Sequence, residues 1–319
     1  MRLISRPILL IGNGLNRSFA EKSVEVNDLI KGKKRLDIPD GEPISFPLKA
    51  VLLTCDEVDK HMKNISANMW GELRIGSPLY QYYKRMLELP VTDILTTNYD
   101  FLMEEAAYDN EKIGPLDIDK TRDYIKVHGL KRAESKMFLH TYQKLPYNKK
   151  LWHIHGHAKN FDSMIIGHYY YGKYLYKIID YVEKNRDRYF WSNPEKFEIR
   201  SWIDAFLFSD IYVLGFGCNY AEMDIWWLLN QKKREYTKRD PCKVCFYEPK
   251  CEDNRIKHEL LKCYGVEVID MGIEVKTGID KEKTPKEYEE NCKRYEEFYY
   301  KALDDIKERT RRFLDDGEI

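Results

Sequence analysis

The chain has 319 residues and carries 53 Lys and Arg against 53 Asp and Glu, a formal net charge of zero. With 43% hydrophobic and 33% charged residues it reads as neither a disordered chain nor a membrane protein, and it lacks the basic excess of a protein that binds nucleic acid mainly by charge. The length supports a substantial core, in one large α/β domain or two small ones.

The first predicted element is the apolar run Pro7-Ile8-Leu9-Leu10-Ile11, a buried parallel strand that stops at Gly12. It is too short for a signal peptide and has no small-residue cleavage site, so a cytoplasmic protein with reduced cysteines is expected. Gly12-Asn13-Gly14-Leu15-Asn16-Arg17 then turns into a helix. Glycines let backbone approach a phosphate, and a helix start favours negative charge. The dinucleotide fingerprint would need Gly where Arg17 stands, and no ribose-binding acid follows on a second strand, so an ordinary dehydrogenase is disfavoured.

Gly32, Pro39, Gly41, Pro43 and Pro47 mark a break in the core. Residues 48–66 and 78–88 read as helices. A second buried strand, Asp93-Ile94-Leu95-Thr96-Thr97, runs into Asn98-Tyr99-Asp100, with a helix from Phe101 to about Tyr108. Asp100 has two readings, helix cap or ligand contact. Residues 109–148 read as polar and irregular, with one short strand near Tyr124–His128. The next strand is Lys150-Leu151-Trp152-His153-Ile154-His155-Gly156. Alternation along a strand puts His153 and His155 on one face. Such a pair can bind zinc, but the continuation His157-Ala158-Lys159-Asn160 lacks the further ligands of a metallohydrolase. A single His acting as a base near neutral pH is the sharper reading.

Residues 161–205 read as mainly helical and rich in tyrosine. Asp210-Ile211-Tyr212-Val213-Leu214 is another strand and ends at Gly215-Phe216-Gly217-Cys218-Asn219, with Asp224 after it, a second turn compatible with phosphate or ribose. Two further strands, at 243–247 and 266–269, flank a helix near 252–262. Cys242, Cys245, Cys251 and Cys263 lack the two close pairs of a structural zinc site. From about 285 to 314 a charged helix carries one apolar stripe, Tyr288, Cys292, Tyr295, Tyr299, Leu303, Ile306 and Thr310 or Phe313, which either packs on the domain or joins a partner.

Strands alternating with helices predict an α/β fold built on an open parallel sheet, whose ligands bind beyond the carboxyl ends of the strands. Gly-Asn-Gly-Leu-Asn, Thr-Thr-Asn-Tyr-Asp, His-Gly and Gly-Phe-Gly with a later Asp stand in this order at four strand ends. In that order they resemble the sirtuin-like NADase family, of the type found in bacterial antiphage defence, from residue 8 to about residue 270. The resemblance implies a Rossmann-like sheet flanked by helices, with a helical insertion lobe and a long C-terminal helix. It implies a catalytic domain over 1–280, with a core at about 1–30, 86–160 and 206–275 and a lobe at about 31–85 and 161–205. The C-terminal helix would then occupy 281–319.

On the same resemblance, Gly12, Asn13, Gly14 and Asn16 line the diphosphate and ribose path. Asn98 holds the ribose end and the attacking water, with Thr97 beside it, and Asp100 places the nicotinamide amide. His155 acts as base near the ribose hydroxyls, Gly215 and Gly217 approach the adenosine side, and Asp224 is a further NAD+-binding residue. Residues 156–214 contain no Cys, so the paired-cysteine zinc module of the deacylase sirtuins is absent and no metal is expected. That departure favours hydrolysis of NAD+ to nicotinamide and ADP-ribose over deacylation. The alternatives are a non-catalytic sensor of NAD+ or an ADP-ribose derivative, and a zinc-free deacylase or ADP-ribosyltransferase. Such relatives imply a homo-oligomer and a separate activating protein such as a DNA-translocating ATPase, with neither membrane nor direct nucleic-acid contact.

Overall fold

The computed structural model describes residues 7–19, 73, 75–108, 139–140, 142–158, 163–191, 197–236, 242–279 and 283–315. The helices expected at 48–66 and the strand near 124–128 lie outside these residues. Seven strands form one sheet: β1 (Pro7–Ile11), β2 (Asp93–Thr96), β3 (Gln143–Leu145), β4 (Lys149–His153), β5 (Asp210–Leu214), β6 (Val244–Tyr247) and β7 (Glu267–Ile269). Their spatial order is β3-β4-β2-β1-β5-β6-β7. Every neighbouring pair is parallel except the β3–β4 hairpin. The fold is therefore the expected Rossmann-like α/β sheet.

The chain steps from β1 to β2 and β4 on one side, then returns across β1 to build β5, β6 and β7 on the other. β1 thus flanks the point where strand order reverses, and the crevice beyond its carboxyl end is the ligand position of such sheets. Apolar runs form these strands because both faces are covered. Ile8 and Leu10 point into one core with Leu95, Trp152 and Val213, while Leu9 and Ile11 point into the other with Ile94, Leu151 and Leu214.

Helices α1 (Gly14–Phe19), α2 (Pro78–Glu88) and α3 (Leu102–Ala107) belong to the second face. Ser77 caps α2 by accepting from Tyr80 N–H, and Pro78 starts it where no backbone donor is needed. Leu79, Tyr82, Tyr83, Met86 and Leu87 are its buried stripe. The first face is covered by α4 (His168–Lys184), α6 (Trp202–Phe208), α7 (Met223–Gln231) and α8 (Arg255–Cys263), with α5 (Arg186–Trp191) beside α4.

The C-terminal helix α9 (Pro285–Asp315) packs on the second face. Its buried side chains are Phe298, Tyr299, Ala302, Leu303, Ile306 and Thr310, while Tyr288, Cys292 and Tyr295 are half-buried. The stripe therefore covers the parent domain over its C-terminal half. Tyr82 Oη donates to the Glu296 carbonyl (2.7 Å) and Tyr247 Oη to Asp305 Oδ2 (2.7 Å), which fixes α9 to α2 and β6.

Two expectations change. β3 was not anticipated, because three residues with one buried Leu145 carry no readable alternation; its turn uses positive φ at Tyr147 and Asn148. β4 ends at His153 rather than running on to Gly156, since Gly156 N–H closes a turn onto the His153 carbonyl (3.0 Å) with its own φ at 83°. His153 and His155 consequently leave on opposite faces of the sheet. The cysteines are dispersed: Cys245 lies within β6, Cys242 Sγ donates to the Phe208 carbonyl (3.3 Å) and Cys263 is exposed.

Candidate active site

Four strand ends meet at the reversal point. Beyond β1, Gly12 and Gly14 pack directly on the turn beyond β5. Gly14 N–H donates to the Gly215 carbonyl at 2.7 Å. A Cβ on Gly12 would lie 2.7 Å from Phe216 Cα, and one on Gly14 would lie 2.7 Å from Gly215 O. Backbone against backbone leaves no room there, so these glycines join the two turns whatever ligand lies above them. Gly215 holds φ at 65°. Asn13 and Gly217 are exposed at the rim, and Gly217 O accepts from Lys257 Nζ at 2.9 Å. Lys257 and His258 both meet Glu248 just beyond β6, at 2.7 and 2.8 Å.

Beyond β2, Thr97 N–H donates to the Ile11 carbonyl at 3.1 Å and holds the loop against β1. Asn98 follows, buried. Its backbone N–H donates to Thr96 Oγ1 (3.0 Å), and its Nδ2 reaches the Gly12 carbonyl only at 3.5 Å. Its Oδ1 is buried without a hydrogen-bond donor among the described residues. A buried acceptor left unpaired costs about 1–3 kcal/mol, so this atom awaits a partner.

Asn16 and Asp100 belong to one network. Asn16 Nδ2 donates to Asp100 Oδ2 (2.8 Å), and Tyr83 Oη donates to Asn16 Oδ1 (2.6 Å). Asp100 Oδ1 accepts from Leu102 N–H (3.1 Å) at the start of α3, so the carboxylate also serves the helix. Behind it, His153 is held between the Asn98 carbonyl at Nδ1 (3.1 Å) and Glu104 Oε1 at Nε2 (2.8 Å). Both ring nitrogens face oxygen atoms that can accept, an arrangement that favours the doubly protonated ring. Burial opposes that charge, but Glu104 and the Asn98 carbonyl outweigh it and the His153 pKa is raised. Both nitrogens of His153 are thus taken up by partners beneath the loop.

Desolvation pushes the Asp100 carboxyl up to about 6, against the hydrogen bond from Leu102 that lowers it. The unfolded chain releases this proton near 3.8, while the folded chain holds it to about 6. Folding stability attributable to Asp100 therefore falls as pH rises from about 4 to 6, by about 1–2 kcal/mol after allowance for its partial exposure. Urea denaturation across that window should show the fall, and Asp100→Asn should flatten it. An unchanged slope in the variant would remove this account.

His155 sits past the end of β4 on the other face. Its Nε2 is 2.8 Å from Asp224 Oδ2 and 3.8 Å from Glu222 Oε2, with both residues at the start of α7. Tyr171 and Tyr174 of α4 pack their rings edge-on against it, at centroid distances of 5.6 and 6.1 Å. Tyr171 Oη donates to Glu222 Oε2 at 3.0 Å. Burial lowers the pKa of His155, the Asp224 carboxylate raises it, and the net direction is upward. Burial and the nearby Asp224 charge raise that of Glu222, with His155 acting against them.

The residues that the sequence pointed to for nucleotide binding and catalysis thus lie at the carboxyl edge. Asn16, Asp100 and Asn98 gather on the α2–α3 side, His155 and Asp224 on the α4–α7 side, and the two glycine turns touch each other. Tyr83, Glu104, Glu222 and Tyr171 were not foreseen. Tyr83 reads as one more core position of an amphipathic helix, and Glu104 as an ordinary first-turn acid. Only Glu222 carried a signal, two residues before Asp224 in a turn already suspected.

The SIR2-like domain family matches the chain over residues 92–269, from the start of β2 to the last residue of β7. That is more than half of the chain, and it includes Asn98, Asp100, His155, Gly215, Gly217 and Asp224. The first glycine turn lies outside it. None of the curated proteins matches the chain.

Proposed function

Since the chain belongs to the SIR2-like domain family, whose members are NAD-dependent enzymes, we propose that it hydrolyses NAD+ to nicotinamide and ADP-ribose. The single observation that carries this reading is Asn98 Oδ1, a buried acceptor with no donor among the described residues, at the strand end beside the reversal point. A water molecule or a ribose hydroxyl supplies the missing donor.

The chemistry asks little of the protein. The bond between ribose C1′ and the nicotinamide nitrogen breaks, and its electron pair neutralises the pyridinium. Water attacks the oxocarbenium-like carbon, and one proton leaves. Glycoside hydrolysis passes through a similar cation but needs an acid for its leaving group, which a pyridinium does not. The task is orientation, a placed water and a weak base. In this reading Asn98 places the water, His155 takes the proton near the ribose hydroxyls, and Asp100 faces the nicotinamide amide. Thr97 borders the ribose. Gly12, Asn13, Gly14 and Asn16 border the diphosphate, and Gly215 and Gly217 border the adenosine side.

The family resemblance supports extending the proposal to antiphage defence by NAD+ depletion, with self-association and a separate activator such as a DNA-translocating ATPase. Chromatography of nucleotides after incubation of pure protein with NAD+ in EDTA tests the core claim. Nicotinamide and ADP-ribose in equal amounts are expected. Saturable binding with NAD+ left intact, alone and with activator, would replace hydrolysis by sensing.

A further inference from the structure

We propose that Asp224 is a positioning residue for His155, fixing which ring nitrogen carries a proton and which is left to face the substrate. The inference rests on the hydrolase reading above for its consequence, but on geometry alone for the pairing. Asp224 is fully buried and His155 is 2% exposed, and Oδ2 stands 2.8 Å from Nε2. A carboxylate there can only accept, so Nε2 must carry a hydrogen in either charge state of the ring. Neutral His155 then has Nδ1 as its one basic atom. The chain therefore presents the substrate with a single defined acceptor in place of two interchanging ones, the logic by which a buried Asp orients a catalytic His.

The surroundings reinforce this. Glu222 Oε2 lies 3.8 Å from the same Nε2, and Tyr171 Oη donates to it. Tyr171 and Tyr174 close the ring on the α4 side. The groups facing His155 are thus two carboxyls from the start of α7 and two phenol rings from α4, and no cation of the described residues lies among them. Among the described residues Asp224 Oδ1 is buried without a hydrogen-bond partner, a cost that a functional position tolerates. The sequence placed Asp224 toward the nucleotide; its Oδ2 instead meets the base. His155, Glu222 and Asp224 also have the make-up of a divalent-cation site, with one ligand atom from each within 4.8 Å of the others. A hydrogen-bonded pair and a metal site demand opposite things of Nε2, a proton or a lone pair, so one experiment separates them.

The test is ring NMR of protein labelled with 15N at histidine, His155 being assigned through His155→Gln, together with pH profiles of wild type and Asp224→Asn. Expected in the wild type is a protonated Nε2 throughout, with Nδ1 alone titrating. Asparagine keeps the shape but can donate, so Asp224→Asn should free the ring to adopt the other tautomer. Its titration should move to lower pH by roughly one unit with the loss of the neighbouring charge. The acid limb of kcat should move with it, and kcat should fall at least about tenfold with KM nearly unchanged. A wild-type ring protonated only at Nδ1, a stoichiometric metal ion on Nε2, or an Asp224→Asn protein with wild-type titration and kcat would each overturn the proposal. If the variant does not fold, the wild-type spectrum alone decides the pairing. If the wild type releases no nicotinamide, the hydrolase reading fails while the ring titration still reports on Asp224.

Discussion

Asn98→Ala should lose nicotinamide release by about 1,000-fold while melting within a few degrees of wild type. Both halves follow from how little the folded chain asks of this side chain. Among the described residues its side chain has two weak holds on the protein, the 3.5 Å contact of Nδ2 with the Gly12 carbonyl, at the limit of a useful interaction, and a contact with the Tyr83 hydroxyl, which keeps its bond to Asn16 without it. Oδ1 contributes none. The loop is held by backbone groups that alanine keeps, namely Asn98 N–H to Thr96 Oγ1, Thr97 N–H to Ile11 O, and the Asn98 carbonyl on His153. Truncation even removes an unpaired buried acceptor, so the change in stability should stay below about 1 kcal/mol.

Activity is a different matter. A preorganised polar group aimed at the reacting centre is worth two to three orders of magnitude in kcat, and the placed water vanishes with it. Quantified nicotinamide from wild type and variant at equal concentration, with melting curves beside them, reads out both. An Asn98→Ala protein within a few-fold of wild type would take Asn98 out of the chemistry. One that failed to fold would contradict the hydrogen-bond inventory above.

The skeleton was legible because buried parallel strands write themselves as apolar runs. β1, β2, β5 and β6 are such runs, each covered on both faces, and their placement by composition matches the sheet to within a residue. The carboxyl edge followed, since polar or glycine residues stop each of these strands. The partnerships were not legible. Tyr83 meets Asn16 across 67 positions, His153 meets Glu104 across 49, and Asp224 meets His155 across 69. No local period encodes such distances; they exist only once strand order is known. The histidine pair failed for a narrower reason. Alternation assumes the strand continues, and it does not continue past His153. Gly12 and Gly14 taught something similar, for a glycine turn reads as room for a phosphate, whereas here that room holds the second glycine turn.

Gly156→Ala should cost about 4 kcal/mol or more of folding stability and should dislodge His155 in whatever fraction remains folded. Gly156 holds φ at 83°, where an L side chain is strained by about 1 kcal/mol. Worse, its Cβ would lie 2.1 Å from the Ser163 carbonyl oxygen and 2.4 Å from the carbon behind it. These are backbone atoms of a buried segment, with no rotamer to swing aside, so relief requires moving the segment itself and exceeds the usual 1–3 kcal/mol of an overfilled core. That segment is tied to the site, because Ile165 N–H donates to the His155 carbonyl (2.9 Å) and His157 N–H to Ser163 Oγ (3.1 Å). Opening the gap between 156 and 163 must therefore shift the peptide that carries His155 and draw its ring from Asp224. Gly172 supplies the contrast. It lies in α4 at ordinary φ with nothing within 4 Å of a new Cβ, and alanine there should stabilise by roughly 0.5–1 kcal/mol. Urea denaturation of the two variants should thus give opposite signs for the same chemical change. Equal, small effects would mean that residues 156 and 163 are not in contact, and that His155 is placed by something other than this turn.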